Sequence, residues 1–226
     1  SSFATGQNNT VSKDFGTAIG TNNASNGEAS FVGGNGSTAQ GDNAFAFGYK
    51  TQAIGDGNIA MGKYASATGK DSLALGRDSI ASNNNTNAIG QNAVASGENA
   101  TAIGHGSESA GRNSNAFGSS ANASADFSTA VGNSAKANGV SSTATGFNAL
   151  AKGNFSTAYG NDAQAKGNRS VAVGYNARAE ESAVAIGNNA NAGAVNAVAV
   201  GAGNVVTGIK SGAFGVGNTV NQANTY

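Results

Sequence analysis

"STAYGNDAQAKGNRSVAVG", residues 156–174, says one thing twice: a small polar residue, then x-Ala-x-Gly, with Gly160 and Gly174 fourteen residues apart. The same spacing runs outward from it. Glycine stands at 6, 20, 34, 48, 62, 76, 90, 104, 118, 132, 146, 160 and 174. One residue is lost within 178–183, and the register resumes at Gly187, Gly201 and Gly215. Sixteen units fill the chain, and the residue two before each closing glycine is alanine except at Val32. A period held over such a length marks a repeat architecture, in which a unit buries its face only against its neighbours.

Fourteen residues are too few for a pair of helices and suit two short strands with two tight turns. In "RSVAVG", Val171 and Val173 alternate with Ser170, Ala172 and Gly174, the period of a strand. In "NDAQAKG", Ala163 and Ala165 alternate with Gln164 and Lys166, which predicts a second strand. Gly174 and Gly167 end the two segments, where turns are expected to need backbone angles closed to most side chains. The fold class predicted is an all-β parallel β-roll, with rungs about 4.8 Å apart. Residues 1–217 form the roll, and 218–226 drift from the pattern toward a connector.

The two strands have unlike outer faces. Five residues after the closing glycine stands alanine, with Ser25, Ser109, Val11, Val206 and Val220 as exceptions, and three after it only Ala, Ser, Asn or Thr. These small positions should oppose the x-Ala-x-Gly alanines across an interior too thin for another methylene. The other face of the first strand carries Phe47, Ile59, Met61, Leu73, Leu75, Ile89, Ile103, Phe117, Val131, Val171, Val173, Val184, Ile186, Val198 and Val200. An alanine methyl gains about 0.8 kcal/mol on burial while fixing a residue's backbone costs about 1–2 kcal/mol, so a lone roll is marginal. Covering the bulky stripe could add about 1.5–3 kcal/mol per side chain. Other copies of the chain, related by cyclic symmetry, are expected to cover it. The reverse assignment, bulk inside and alanine outside, gives an exposed position no reason to insist on alanine.

Composition removes most other classes. The chain has 35 glycines with no proline, which excludes collagen, and no cysteine, which excludes disulfides and thiolate metal sites. Twelve basic residues balance twelve acidic ones, so nucleic acid is not an expected partner. No apolar run approaches a membrane span, so any signal or anchor is expected outside these residues. His105 is the lone histidine, read as a solvated turn residue, and it cannot build a triad or a multi-histidine metal site. "GGNGSTAQGD" lacks the repeated aspartates of calcium-binding rolls, and the GxG pairs are products of the repeat. Neither an enzyme, a cofactor nor a metal is expected.

Units of the form N-S-V-A-I-G-x-x-A-x-A-x-G resemble the YadA-like heads of trimeric autotransporter adhesins, and "NRSVAVGYNARA", "KDSLALGRDSIA", "ESAVAIGNNANA" and "VNAVAVGAGN" are close versions. The resemblance covers Gly6 to about Gly217. It implies a left-handed parallel β-roll, a homotrimer joined along the apolar strands, and display at the cell surface of a Gram-negative bacterium through an outer-membrane anchor absent from this chain. It also implies attachment to extracellular-matrix proteins such as collagen, fibronectin and laminin, or to host-cell receptors, with autoaggregation or biofilm formation as further roles. Gly33, Thr5 and Thr145 depart from it by replacing the bulky residue.

For a ligand, the wet face and the turns are the candidates. Lys136, Lys152, Lys166, Arg169 and Arg178 gather in one stretch, with Lys152 and Lys166 at one position of adjacent units. Phe127 and Phe155 share a turn position two units apart, where an exposed aromatic suits a protein partner. The plainer account makes the charges solubilising and the phenylalanines caps of the roll's edge. Adhesion to abiotic surfaces and a spacer without its own ligand are the alternative functions. An ice-binding solenoid would want a Thr-x-Thr array, of which the first strands hold one, Thr143-Ala144-Thr145. A left-handed β-helix acyltransferase would want a hexapeptide period and a catalytic histidine, and fourteen is no multiple of six.

Overall fold

In the computed structural model, residues 1–226 are all described, and each repeat forms both strands read from it. Two units, 1–113 and 114–226, are built alike. In the first, Phe3–Gln7, Thr17–Thr21, Phe31–Asn35, Phe45–Tyr49, Ile59–Met61, Leu73–Leu75, Asn87–Ile89 and Thr101–Ile103 join in that order into one parallel sheet. Two-residue strands, from Thr10–Val11 to Glu108–Ser109, make its second sheet. The second unit repeats this with Asn115–Phe117 through Gly212–Phe214 and Asn122–Ala123 through Thr219–Val220. Counterparts pair residue for residue, as in Leu73 with Asn87, Ala74 with Ala88 and Leu75 with Ile89.

Small side chains face inward because the sheets lie nearly back to back. Each rung contributes four of them, and in one rung Ser156, Ala158, Ala163 and Ala165 are all at most 1% exposed. The serine that precedes the first strand closes its own polarity in some rungs, Ser128 and Ser170 donating to the carbonyls of Ala125 and Gly167 at 2.6 Å, while the buried hydroxyls of Ser142 and Ser156 have no partner. Bulk lies outside, as read. Phe47, Ile103 and Ile186 are 49%, 38% and 40% exposed, while Ala46, Ala102 and Ala185 beside them are at 0%. The reverse assignment is therefore overturned.

Turn chemistry differs from the expectation in one respect. The closing glycines do adopt left-handed angles, Gly174 at φ 125. Gly167 does not; it sits where the next rung comes close, an added Cβ lying 2.2 Å from the backbone nitrogen of Glu181, so a side chain there needs that rung to shift. The left-handed residues of the turns stand two and nine after the closing glycine, such as Asp162 (φ 57) and Arg169 (φ 54). Asparagine fills many of these sites, among them Asn8, Asn22, Asn92, Asn99 and Asn113, because its short polar side chain tolerates that region. The missing residue of the shortened unit falls in a turn, so Val171 still pairs with Val184 and Val173 with Ile186.

Polar residues also build a ladder between rungs at one end of the chain. At the position usually held by alanine stand Asn9, Asn23, Ser37 and Thr51 in four consecutive rungs. Asn23 donates through Nδ2 to the Ile19 and Gly34 carbonyls at 3.0 and 2.8 Å, and its Oδ1 accepts from the Ser37 N–H at 3.0 Å. Ser37 then donates to Gly48 O at 3.0 Å and accepts from Thr51 N–H at 3.1 Å. In alanine rungs the same backbone N–H bends back to its own closing glycine, as Ala93 does to Gly90 O at 3.3 Å. In these four rungs the first strand runs two residues further, through the glycine, whereas the like ladder of Asn204 and Asn218 accompanies strands of three residues.

Candidate functional site

Sequence reading singled out two surfaces, and the structure places both on the outside of the roll. Along the first sheet, Ile59, Met61, Leu75, Ile103, Phe117, Val131 and Ile186 are exposed, and Leu73, Ile89, Val171, Val173, Val184, Val198 and Val200 are half-buried by their neighbours on the stripe. Parallel in-register pairing stacks like on like, so Val131, Thr145, Tyr159 and Val173 form one column. The aromatic members pack among themselves: Phe31 and Phe45 stack at 4.9 Å with planes 10° apart. Gly33, the departure from the bulky pattern, is the socket for this group, since a Cβ there would meet the Phe47 ring at 2.7 Å.

Basic residues of the second unit are brought together only in part. Lys136, Leu150, Gln164 and Arg178 share one column of the second sheet, so an apolar and an amide side chain separate the two cations. Lys152 and Lys166 are adjacent and exposed, but Lys166 Nζ lies 3.9 Å from Glu180 Oε1, which ends the ridge with an acid. Arg178 donates through Nη2 to Asn176 Oδ1 at 3.1 Å. Phe127 and Phe155, with φ 58 and 57, are 51% and 62% exposed at the turn that leads into the first strand. Ser141 (φ 54) holds this position in the rung between them, and the carbonyl of Val140 before it accepts from the Phe155 N–H at 2.8 Å. Arg169 continues the edge at φ 54. Left-handed backbone disfavours such large side chains, and each is held against that preference by the rung above and below.

A third surface went unread in the sequence. Tyr49-Lys50 and Lys63-Tyr64 face each other on adjacent rungs at the turn after the first strand, with ring centroids 5.6 Å apart in edge-to-face geometry. The signal was present as two Tyr/Lys dipeptides fourteen residues apart, hidden by the custom of reading turns for Gly and Asn. His105, by contrast, is exposed in a turn as read. No cluster of His, Cys, Asp and Glu is arranged to hold a metal ion, and no helix is long and apolar enough to cross a membrane.

A family model described as the YadA head domain repeat, in two copies, matches residues 1–23, 26–51, 39–65, 53–79, 67–86, 81–107, 109–135, 137–163, 151–177 and 179–204. The chain belongs to the YadA head family. No curated protein matches it. YadA heads are non-catalytic adhesins, so the surfaces just described are to be read as contact surfaces for adhesion. Within this YadA head the interior is filled, mostly by alanine and serine, and the stripe, the wet face and the turn edges are what remains to make contacts.

Proposed function

We propose that this YadA head works as a left-handed homotrimer joined along the apolar stripe, displayed on a Gram-negative outer membrane by an anchor outside these residues. In that state it attaches the cell to collagen, fibronectin, laminin or host-cell receptors. The observation that carries the proposal is the division of side chains: the interior is mostly alanine and serine, with Val32 and Val206 its only large apolar members, and the phenylalanines, isoleucines and leucines of the first sheet face out. An apolar stripe running the length of a sheet exceeds what a soluble monomer normally exposes. Stripe burial under cyclic symmetry removes that hazard and supplies the energy that an alanine interior lacks.

Lys152, Lys166, Arg169, Phe127 and Phe155 are the proposed ligand contacts on each protomer, with Lys136 and Arg178 at the margin. Three copies on one head would make weak contacts effective through multivalency. Two measurements test the reading. Sedimentation of the chain should give a trimer, and Ile103→Asn with Val131→Asn should release monomers; a stable wild-type monomer would overturn the assembly. Binding to immobilised matrix proteins and host-cell receptors, against bare plastic, should fall in the trimeric variant Lys152→Glu/Lys166→Glu/Phe155→Ser. Unchanged attachment by that variant would remove these residues from the site, and attachment to bare plastic alone would favour the abiotic reading.

A further inference from the structure

The side chains of Tyr49, Lys50, Lys63 and Tyr64 form an exposed cluster outside the roll's interior. Its backbone is fixed by the rung ladder: the Tyr64 N–H donates to Tyr49 O at 2.9 Å and the Lys50 N–H to Asn35 O at 2.9 Å. On that frame the side chains assemble with each other. Lys50 Nζ lies 5.5 Å from the centre of the Tyr49 ring, and Lys63 Nζ lies 5.7 Å from Tyr49 and 5.1 Å from Tyr64. These are cation–π distances, and they hold two ammoniums beside two aromatic faces before any ligand arrives. Both rings remain in contact with water, Tyr49 at 40% and Tyr64 at 42% exposure.

Two features separate this cluster from ordinary surface decoration. Lys50 (φ 51) and Tyr64 (φ 60) occupy left-handed sites that Asn, Asp or Gly fill in most other rungs. Large side chains there carry a local cost of about 1–2 kcal/mol each, with no packing return inside the roll. The charge is also unbalanced. Neither lysine is ion-paired, while the next rung's Arg77 is committed to Asp78 at 3.4 Å. From Gln7 to Asn92, Asp78 is the only acid among the two residues that follow each closing glycine. An anionic partner would therefore meet uncompensated positive charge along this edge.

We propose that this edge docks an acidic polysaccharide, its sulfate or carboxylate groups on Lys50 and Lys63 and its sugar rings against Tyr49 and Tyr64. A linear polymer suits the shape, because the cluster is a convex turn edge running across rungs rather than a pocket. Ammoniums on neighbouring rungs, about 4.8 Å apart along the stack, can address successive anionic groups. Aromatic faces distinguish a sugar polymer from a merely acidic peptide, since pyranose C–H groups pack on them and carboxylates do not. The site is separate from the Lys152–Lys166 surface and does not depend on it.

The test uses the whole 226-residue chain. Heparin is the probe, with fully desulfated heparin and poly-L-glutamate as comparisons, at about 0.15 M salt and across a salt series. Lys50→Gln/Lys63→Gln should weaken heparin binding about tenfold and flatten the slope of log affinity against log salt, because two fewer counterions are exchanged. Tyr49→Ser/Tyr64→Ser should weaken it several-fold with the slope kept, and Lys50→Arg/Lys63→Arg should retain it. Sedimentation and unfolding midpoints should match the wild type in all three. The proposal is overturned if Lys50→Gln/Lys63→Gln binds heparin undiminished, if Lys152→Gln/Lys166→Gln loses as much, or if poly-L-glutamate binds as well as heparin. Collagen, fibronectin and laminin binding, measured on the same variants, reports separately on the matrix-adhesion reading.

Discussion

Gly132→Ala should unfold this protein far more readily than Gly139→Ala, although free space alone ranks them the other way. A Cβ on Gly139 would sit 1.9 Å from Gly153 O, and one on Gly132 would sit 2.5 Å from Gly146 O. Backbone angle reverses the order. Gly132 has φ 130, a region closed to L side chains, whereas Gly139 has ordinary angles. Other units confirm that the second turn can give way, for Asn83, Ala125 and Ala194 stand where Gly139 does, while the closing position is glycine in every unit. Forcing a side chain into the disallowed region costs about 1–3 kcal/mol. Displacing the neighbouring rung adds about 1–3 kcal/mol for overpacking. The sum, about 2–6 kcal/mol, is a large share of a typical domain's stability, against about 1–3 kcal/mol of overpacking alone for Gly139→Ala. Urea unfolding at equal slope measures the difference, and hydrogen exchange at Ala135 and Ala149 locates it. A Gly132→Ala protein within about 0.5 kcal/mol of wild type, or a Gly139→Ala protein equally damaged, would refute the division of glycines into two kinds.

Two further outcomes follow from side chains named above. Asn23→Ala should cost about 1–3 kcal/mol by leaving the Ile19 and Gly34 carbonyls without their donor, with exchange accelerated in the first four rungs and not in the second unit; uniform exchange throughout would count against the ladder. Asp42 is held below the usual carboxylate range, first by accepting from the Glu28 N–H at 2.7 Å and then by Lys13 at 3.0 Å. A depressed carboxyl stabilises the fold above its unfolded value, and that contribution is lost as pH falls below about 4 through the folded value. The partner Lys13 is raised, chiefly by its bond to Asp42, so its share persists through neutral pH and is lost only in strong base. The N-terminal rungs should therefore lose a small part of their exchange protection on acidification, since the pair is exposed, and Asp42→Asn, which keeps an acceptor for Glu28 but carries no titrating charge, should remove that acid response. Equal acid opening in Asp42→Asn would place its origin elsewhere.

How much of this was legible depends on what each residue does physically. The interior was readable because crowding leaves no freedom: Ala158, Ala163 and Ala165 can be nothing larger, so the period announced both strands and both faces. Turn geometry was half readable. Glycine has two uses that look identical in a sequence, a disallowed angle at Gly174 and a close approach at Gly167, and only coordinates separate them. The polar ladder was not readable, because Asn9, Asn23, Ser37 and Thr51 look like ordinary small polar substitutions until their bonds to adjacent rungs are seen.

Contact surfaces were the least legible part, for a reason built into the fold. The roll is specified by its closing glycines and four small positions per rung, and a side chain beyond the turn edge changes nothing inside. Freedom of that kind makes an exposed residue uninformative unless it works against the backbone that carries it. The left-handed turn positions supply such a background: Asn, Asp, Ser and Gly satisfy them, and Asn92, Ser134 and Asp162 are the ordinary occupants. Against it, Phe15, Lys50, Tyr64, Phe127, Phe155 and Arg169 are large residues in an angle that penalises them. Packing within the roll does not account for the choice, since Phe15, Tyr64, Phe127 and Phe155 are each more than two-fifths exposed. A partner's surface would account for it on the readings proposed above, so the columns of misfitting turn residues, more than any pocket, are where ligands of this head should be sought.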